Sequence, residues 1–339
     1  VGSGLGGLEC AAVLSKEGYN VCVLEKNQLF GGCFQTYTRQ GYVLDTGIHY
    51  ICSLDKGQLM HRYFSYFGIM DNLKLLRMDS GGFDQIWYND KKYDLHNGHD
   101  TFVEQMTGYF PHEHENLVKY IDLLKEVAGL ISTDNLANGV IAQSGMNFFL
   151  KSVTDQLAEL TNNVTLQNVL TGSALLYGGI KEASNFYYHG MVNNSYIESA
   201  YRLIDGSMQV ADELINVLKQ NGGMVFNNSE VVRFVVDDDN VTAVELSNGE
   251  RIEGRYFISN IHPKTTLELV DRNQYIKKPY INRINSLPNS YGVFTLYLLM
   301  KPVPTPYVIK TYYIHSADDT WFHGSGSIDE DLSTCMVSF

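Results

Sequence analysis

Gly2-Ser3-Gly4-Leu5-Gly6-Gly7 satisfies G-x-G-x-x-G, a spacing at which backbone amides rather than side chains grip a pyrophosphate. Gly2 permits the tight turn from strand to helix, Gly4 lets the backbone approach the phosphates, and Gly7 permits close packing of helix on strand. The helix that follows turns its N-terminal amides toward the anion. With 30 glycines in 339 residues the pattern also arises by accident, so the next acid matters. Glu25 stands 21 residues after Gly4, at the end of the second strand, where a carboxylate accepts hydrogen bonds from both hydroxyls of an adenosine ribose. The plain alternative for Glu25 is a polar residue closing a strand. NAD and FAD share this turn, and the glycines alone do not separate them.

Other residue types offer weaker chemistry. The five cysteines, Cys10, Cys22, Cys33, Cys52 and Cys335, form no Cys-x-x-Cys pair and are odd in number, which indicates neither a disulfide framework nor a zinc site and favours a reducing compartment. His112 and His114 alternate with Glu113 and Glu115, but at a helix entrance that spacing turns neighbours in different directions, as on a solvated face. Tyr177, Phe186, Tyr187, Tyr188, Tyr196 and Tyr201 supply the rings for either a long apolar tunnel or an ordinary core. Asn163, Asn193, Asn227 and Asn240 head glycosylation triplets and are read as unmodified.

The elements that must position these residues begin with a βαβ start: a helix over Leu8 to Lys16 closed by Gly18, then a short strand from Asn20 to Leu24. Phe83 to Tyr88 and Lys92 to Leu95 flank an Asn89-Asp90 turn and predict a hairpin. Apolar residues at every third or fourth position predict a helix over His112 to Ile131, with further helices through Phe148 to Leu160. Met208 to Lys219 has helical periodicity and ends at Asn221-Gly222-Gly223. Strands are then predicted over Met224 to Phe226, Glu230 to Val236, Val241 to Leu246, Arg251 to Ser259, Tyr291 to Met300 and Tyr307 to His315.

Gly31-Gly32-Cys33-Phe34-Gln35-Thr36, followed by Gly41, Asp45, Gly47 and His49, resembles the flavin-side extension of the phytoene desaturase and amine oxidase superfamily. More narrowly, Gly31-Gly32-Cys33 with Asp45-Thr46-Gly47-Ile48-His49-Tyr50-Ile51 is similar to the retinol saturase group and its relatives among carotenoid isomerases and desaturases. Gly222-Gly223, Glu230-Val231, Asn248-Gly249 and the Ser259-Asn260-x-His262-Pro263 turn are similar to that family's second FAD-domain segment. The resemblance implies an α/β fold: a Rossmann-like FAD-binding domain of the GR2 type, split in sequence, with an inserted α+β substrate domain. The expected divisions are residues 1–75 and 201–270 for FAD binding, 76–200 for the substrate domain, and 271–339 for its sheet.

The cofactor-binding residues implied are Gly2, Gly4, Leu5, Gly6, Gly7, Glu25, Lys26, Gly31, Gly32, Cys33, Gly47, Ile48, His49 and Val231, the last through its backbone at the adenine. FAD is the implied cofactor, with NAD(P)H a candidate electron donor. A flavin carries the hydride chemistry itself and asks few catalytic side chains of the protein. His49 and Tyr50 are the catalytic candidates, each with a structural, hydrogen-bonded role as its alternative, and Asp45 reads as a loop-fixing carboxylate. The family's pattern starts with a whole strand before Gly2 and ends with a glycine-rich flavin segment, so the chain is expected to be a piece of a longer enzyme. The activity implied is saturation, desaturation or isomerisation of a polyene or other isoprenoid. A flavin amine oxidase, a non-catalytic flavin- or lipid-binding protein and an NAD-only dehydrogenase stand as alternatives.

Composition narrows the partners. The 38 acidic and 25 basic residues leave a net charge of -13, which disfavours nucleic acid and anionic membrane surfaces. No stretch approaches the ~20 apolar residues that span a bilayer. The partner expected is a lipophilic small molecule, with transient peripheral membrane association and a cytoplasmic or membrane-peripheral site on the reducing side.

Overall fold

The computed structural model describes residues 1–130, 145–238, 240–270, 276–301, 307–316, 318–321 and 333–339. The chain forms two compact units, each assembled from separated stretches. Unit one comprises Val1–His49, Arg62–Leu75 and Leu203–Asn289; unit two comprises Tyr50–His61, Leu76–Arg202 and Ser290–Phe339.

Unit one is a Rossmann-like α/β arrangement. Its parallel pair joins Cys22–Leu24 to Met224–Phe226, with Cys22 opposite Met224 and Leu24 opposite Phe226. The Glu25 amide continues the pairing by donating to the Phe226 carbonyl at 2.8 Å, so the acid is carried on the last rung of the sheet. Helix Leu5–Lys16 buries Leu8, Ala11, Ala12 and Ser15, one face at helical spacing whose small residues permit a close approach. It packs with helix Met208–Gln220, which buries Val210, Ala211, Leu214, Ile215 and Leu218. That second helix stops where Gly222 takes a positive φ of 82° and the Gly223 amide turns back to the Leu218 carbonyl. An antiparallel meander, Val231–Asp237, Asn240–Leu246 and Arg251–Glu253, closes over Leu24 with Phe234, Val244 and Leu246. Burying each of these side chains contributes about 1.5–3 kcal/mol.

Unit two centres on a four-stranded sheet ordered Thr334–Ser338, Thr311–His315, Asp84–Tyr88, Lys91–Leu95. The middle pair is parallel and the outer pairs antiparallel. Asp84–Tyr88 and Thr311–His315 both bury alternate residues, as strands with one face on a core must. Asn89 and Asp90 take φ of 50° and 57°, the twin left-handed conformations of a two-residue hairpin turn. Helix His114–Gly129 buries Leu117, Tyr120, Ile121, Leu124 and Val127 and lies against helix Phe186–Glu198. Their approach is close at Gly190, where a Cβ would stand 3.0 Å from Val127.

Several predicted elements differ in extent. The 112–131 helix begins at His114 after a short 3-10 turn and ends at Gly129, while Ile131 lies outside the described residues. The 148–160 stretch is two helices, Met146–Leu150 and Val153–Leu160, because Ser152 caps the second by accepting from the Asp155 amide at 3.0 Å. Only Arg251–Glu253 of 251–259 and only Thr311–His315 of 307–315 are strand. Tyr291–Met300 forms no strand. Phe294, in the middle of that apolar run, is left 91% exposed. Among the described residues, no helix is long and apolar enough to cross a membrane.

Candidate dinucleotide-binding site

The first glycine loop leaves no room for a side chain at Gly7 and little at Gly2. Gly2 has φ +91° and donates its amide to the Leu24 carbonyl at 2.9 Å at the start of the turn. A Cβ on Gly7 would lie 2.3 Å from the Gly2 carbonyl oxygen, an overlap that fixes glycine at this position. The helix from Leu5 has Gly4 as its N-cap, with no side-chain cap and no acid in its first turn. Its leading amides are therefore left for an anion.

The second glycine loop closes on the first. The Gly31 amide donates to the Ser3 carbonyl at 3.0 Å, Gly4 and Gly31 form a parallel bridge, and a Cβ on Gly32 would meet the Gly4 Cα at 3.0 Å. Gly31 itself has φ +101° and lies against Ala211 of helix Met208–Gln220. Cys33, exposed on this loop, backs onto Gly47, where a Cβ would stand 3.2 Å from the Cys33 carbonyl oxygen. Asp45 accepts from the Ser207 amide at 2.7 Å and the Ser207 hydroxyl at 2.6 Å, the loop-fixing role its sequence position suggested. The same hydroxyl lies 3.1 Å from the Phe34 carbonyl, so its single proton is shared between the two sides of the loop.

Glu25 is buried, with both oxygens engaged. Oε2 accepts from the Ser3 amide at 3.0 Å and the Ser3 hydroxyl at 2.6 Å, and Oε1 accepts from the Asn27 amide at 2.9 Å. Burial pushes this carboxyl up, but the Ser3 hydroxyl and the Asn27 and Ser3 amides together hold it below its ordinary value. It stays ionised at neutral pH, and Oε1, with one bond, keeps lone-pair capacity for a ribose hydroxyl. A fixed anion here disfavours a 2′-phosphate. Lys26 beside it is exposed, and Val231, opposite Leu246, is buried at the start of its strand.

Every residue of the implied cofactor set lies in unit one, and the glycine loops, Glu25 and Asp45 are brought together there. Ile48 and His49 are half-buried at the end of its first stretch. Tyr50 belongs to unit two. Its hydroxyl donates to Asp84 Oδ2 at 2.9 Å and lies 2.6 Å from the Tyr313 hydroxyl, while its ring packs 4.7 Å from that of Tyr196. Burial, with Asp84 nearby, pushes the Tyr50 phenol well above its ordinary range, so it holds its proton. The aromatic cluster serves several separate contacts: Phe186 is core, Tyr177 bonds His189, Tyr201 bonds Asp55, and Tyr188 is exposed. Among the described residues no three potential ligands gather for a metal.

Three participants were given no individual role by the sequence reading of the site. Ser3 occupies a variable position of the fingerprint yet clamps Glu25, and Ser207 fixes the second loop from far along the chain. Asn260 packs over the glycine helix: its Nδ2 would be 3.1 Å from a Cβ on Gly6, and its amide donates to the Val1 carbonyl at 2.8 Å. The Ser259-Asn260 turn was the available signal.

A family model described as an NAD(P)-binding Rossmann-like domain matches residues 1–67. The chain is 29% identical over 263 residues to the all-trans-retinol 13,14-reductase of Danio rerio, covering 70% of this chain and 42% of that protein. It is 24% identical over 343 residues to the phytoene desaturase of Cercospora nicotianae, covering 94% of this chain and 53% of that protein. The chain thus spans about half the length of these relatives. Among solved structures, the PF1083 protein of Pyrococcus furiosus matches with a TM-score of 0.63 at 20% identity, covering 92% of this chain and 70% of that one. Cyclohexylamine oxidase of Brevibacterium oxydans matches with a TM-score of 0.57 at 17% identity, covering 84% and 61%, a likeness of fold alone. With a Rossmann-like fold and the glycine loops and acid in place, the chain is similar to the all-trans-retinol 13,14-reductases and phytoene desaturases over about half of their length.

Proposed function

We propose that this chain carries the FAD-binding part of an oxidoreductase that acts on carbon-carbon double bonds of a polyene or other isoprenoid. The observation that carries the reading is the lock of two glycine loops and Glu25, with Gly32 against Gly4 and Ser3 bonded to the acid. A nicotinamide dinucleotide requires the first loop and the acid but not the second loop.

The residues that would hold FAD follow from this geometry. The uncapped start of helix Leu5–Lys16, from Gly4 through Gly7, would take the pyrophosphate, and Glu25 the ribose hydroxyls. Gly31, Gly32 and Cys33 would run beside the phosphates, Gly47, Ile48 and His49 would follow on the flavin side, and the Val231 backbone would meet the adenine. When bound, FAD supplies the hydride acceptor and donor that no side chain provides. The chain's own residues bind and orient it. His49, at the flavin-side end of the loop, is the candidate to donate a proton or position the substrate there, and Tyr50, whose hydroxyl bonds Asp84 and Tyr313 in unit two, is the second candidate. NAD(P)H is the candidate electron donor, and a lipophilic substrate would draw the enzyme transiently to a membrane surface.

The test is an absorbance spectrum of the purified full-length protein, then anaerobic reduction with dithionite and addition of all-trans-retinol or a carotene. Flavin bands that reappear on adding the polyene are the expected result. Absence of any flavin overturns the enzyme reading. Reduction of the oxidised flavin by an amine, with polyenes inert, assigns the chain to C–N chemistry instead.

A further inference from the structure

Four polar groups of unit two are buried without a hydrogen-bond partner among the described residues: Asn97 Oδ1, Asp84 Oδ1, Thr311 Oγ1 and Arg202 Nε. The last three converge. Thr311 stands directly opposite Asp84 in the parallel pair of strands, and its amide donates to the Phe83 carbonyl at 2.9 Å. Arg202 reaches the same point from another element, its Nη2 donating to the Lys310 carbonyl at 3.1 Å, one residue before Thr311, and its Nη1 to the Tyr307 hydroxyl at 3.3 Å. Its charge acts on Asp84. Asp84 is 1% exposed and Thr311 0%, so bulk solvent reaches neither.

An orphaned buried polar atom costs about 1–3 kcal/mol, and three at one place are rare in a folded chain. The other oxygen of Asp84 has its donor in Tyr50, and because Tyr50 commits its proton there, the Tyr313 hydroxyl 2.6 Å away donates to Tyr50. The unmet capacity of Asp84 therefore lies on Oδ1, next to Thr311 across the strand pair.

We propose that Asp84, Thr311 and Arg202 enclose an internal water molecule that completes the hydrogen bonding of the Tyr313–Tyr50–Asp84 chain. One molecule gives each of the three atoms a partner. A protonated Asp84, the form that burial favours, donates from Oδ1 to the water, and Arg202 donates from Nε. The water gives one hydrogen to Thr311 Oγ1, making three bonds, the usual number for a buried water. The three atoms do not pair directly with one another. The site lies in the sheet of unit two, and its existence does not depend on the flavin reading.

A crystal structure of the protein at a resolution that shows ordered solvent tests this. A single peak within hydrogen-bond distance of all three atoms is expected, and it should disappear in Thr311→Val, which keeps the shape and removes the acceptor. No peak in the unsubstituted protein, or a peak unchanged in Thr311→Val, overturns the three-partner site. Crystals soaked in bromide supply the remaining check: anomalous signal at the peak would identify a halide held by Arg202 and refute the water, and its absence supports it.

Discussion

Ser3 directs two hydrogen bonds onto one oxygen of Glu25, its amide at 3.0 Å and its hydroxyl at 2.6 Å to Oε2. Because the Gly31 amide bonds the carbonyl of the same serine at 3.0 Å, the acid, the first glycine loop and the second are one mechanical unit. Ionisation of Glu25 and the placing of both loops are thereby linked.

Replacing Glu25 by glutamine is expected to weaken flavin retention. The amide keeps the size, loses the charge, and turns a donor toward the Ser3 or Asn27 amide. Charge-assisted bonds of this kind are worth about 1.5–3 kcal/mol, so the dissociation constant should rise roughly 10- to 150-fold. Flavin fluorescence on reconstituting the apoprotein measures it, and an unchanged affinity would remove Glu25 from the site.

Gly7→Ala should destabilise unit one far more than Gly18→Ala. At Gly7 the new Cβ meets the Gly2 carbonyl oxygen at 2.3 Å, a backbone atom that no rotamer change moves aside. A cost of about 3 kcal/mol is expected. Gly18 has φ +85° but nothing within 4 Å, so only the left-handed backbone is strained, at about 1–2 kcal/mol. Urea unfolding of the two variants should rank them in that order.

The glycine turn, Glu25 and the helix behind them were legible because they lie within one stretch where spacing alone fixes geometry. Asn260 and Ser207 were less so, since nothing local in either residue says which loop it will meet. Tyr50 illustrates the same limit. Its place beside His49 suggested chemistry, yet its hydroxyl is taken by Asp84 and Tyr313, contacts that arise only when the sheet of unit two forms. For Tyr291–Met300 the apolar pattern was real, but a strand is defined by the backbone that pairs with it.

Acid should weaken unit two through His189. The ring is fully buried, with Nε2 2.9 Å from the Tyr120 hydroxyl and Nδ1 3.0 Å from that of Tyr177, and burial lowers its pKa to about 3. A depressed folded value means the unfolded chain binds the proton first, so stability present above the unfolded value of about 6.5 is lost as pH falls toward 3. His189→Gln retains donor and acceptor without titrating. It should be less stable at pH 7, by about 1–3 kcal/mol, yet decline less steeply between pH 6.5 and 4. Parallel pH-melt curves that keep the same slope would show that another group carries the transition.

Asp84 has the opposite sign. Burial raises its carboxyl to about 8, against the pull of the Tyr50 hydrogen bond and the Arg202 charge. A raised folded value makes the native state the stronger proton binder. The stability it contributes is complete below the unfolded value of about 4, falls as pH rises, and is gone once pH passes the folded value near 8. The upper bound on the slope for one group is about 1.4 kcal/mol per pH unit. Asp84→Asn mimics the protonated acid in size and keeps an acceptor for Tyr50. Its melting temperature should therefore depend less on pH between 5 and 8 than that of the unsubstituted protein, and should exceed it at pH 8. If the two curves run parallel across that range, Asp84 is ionised in the folded chain and the burial argument fails at this residue.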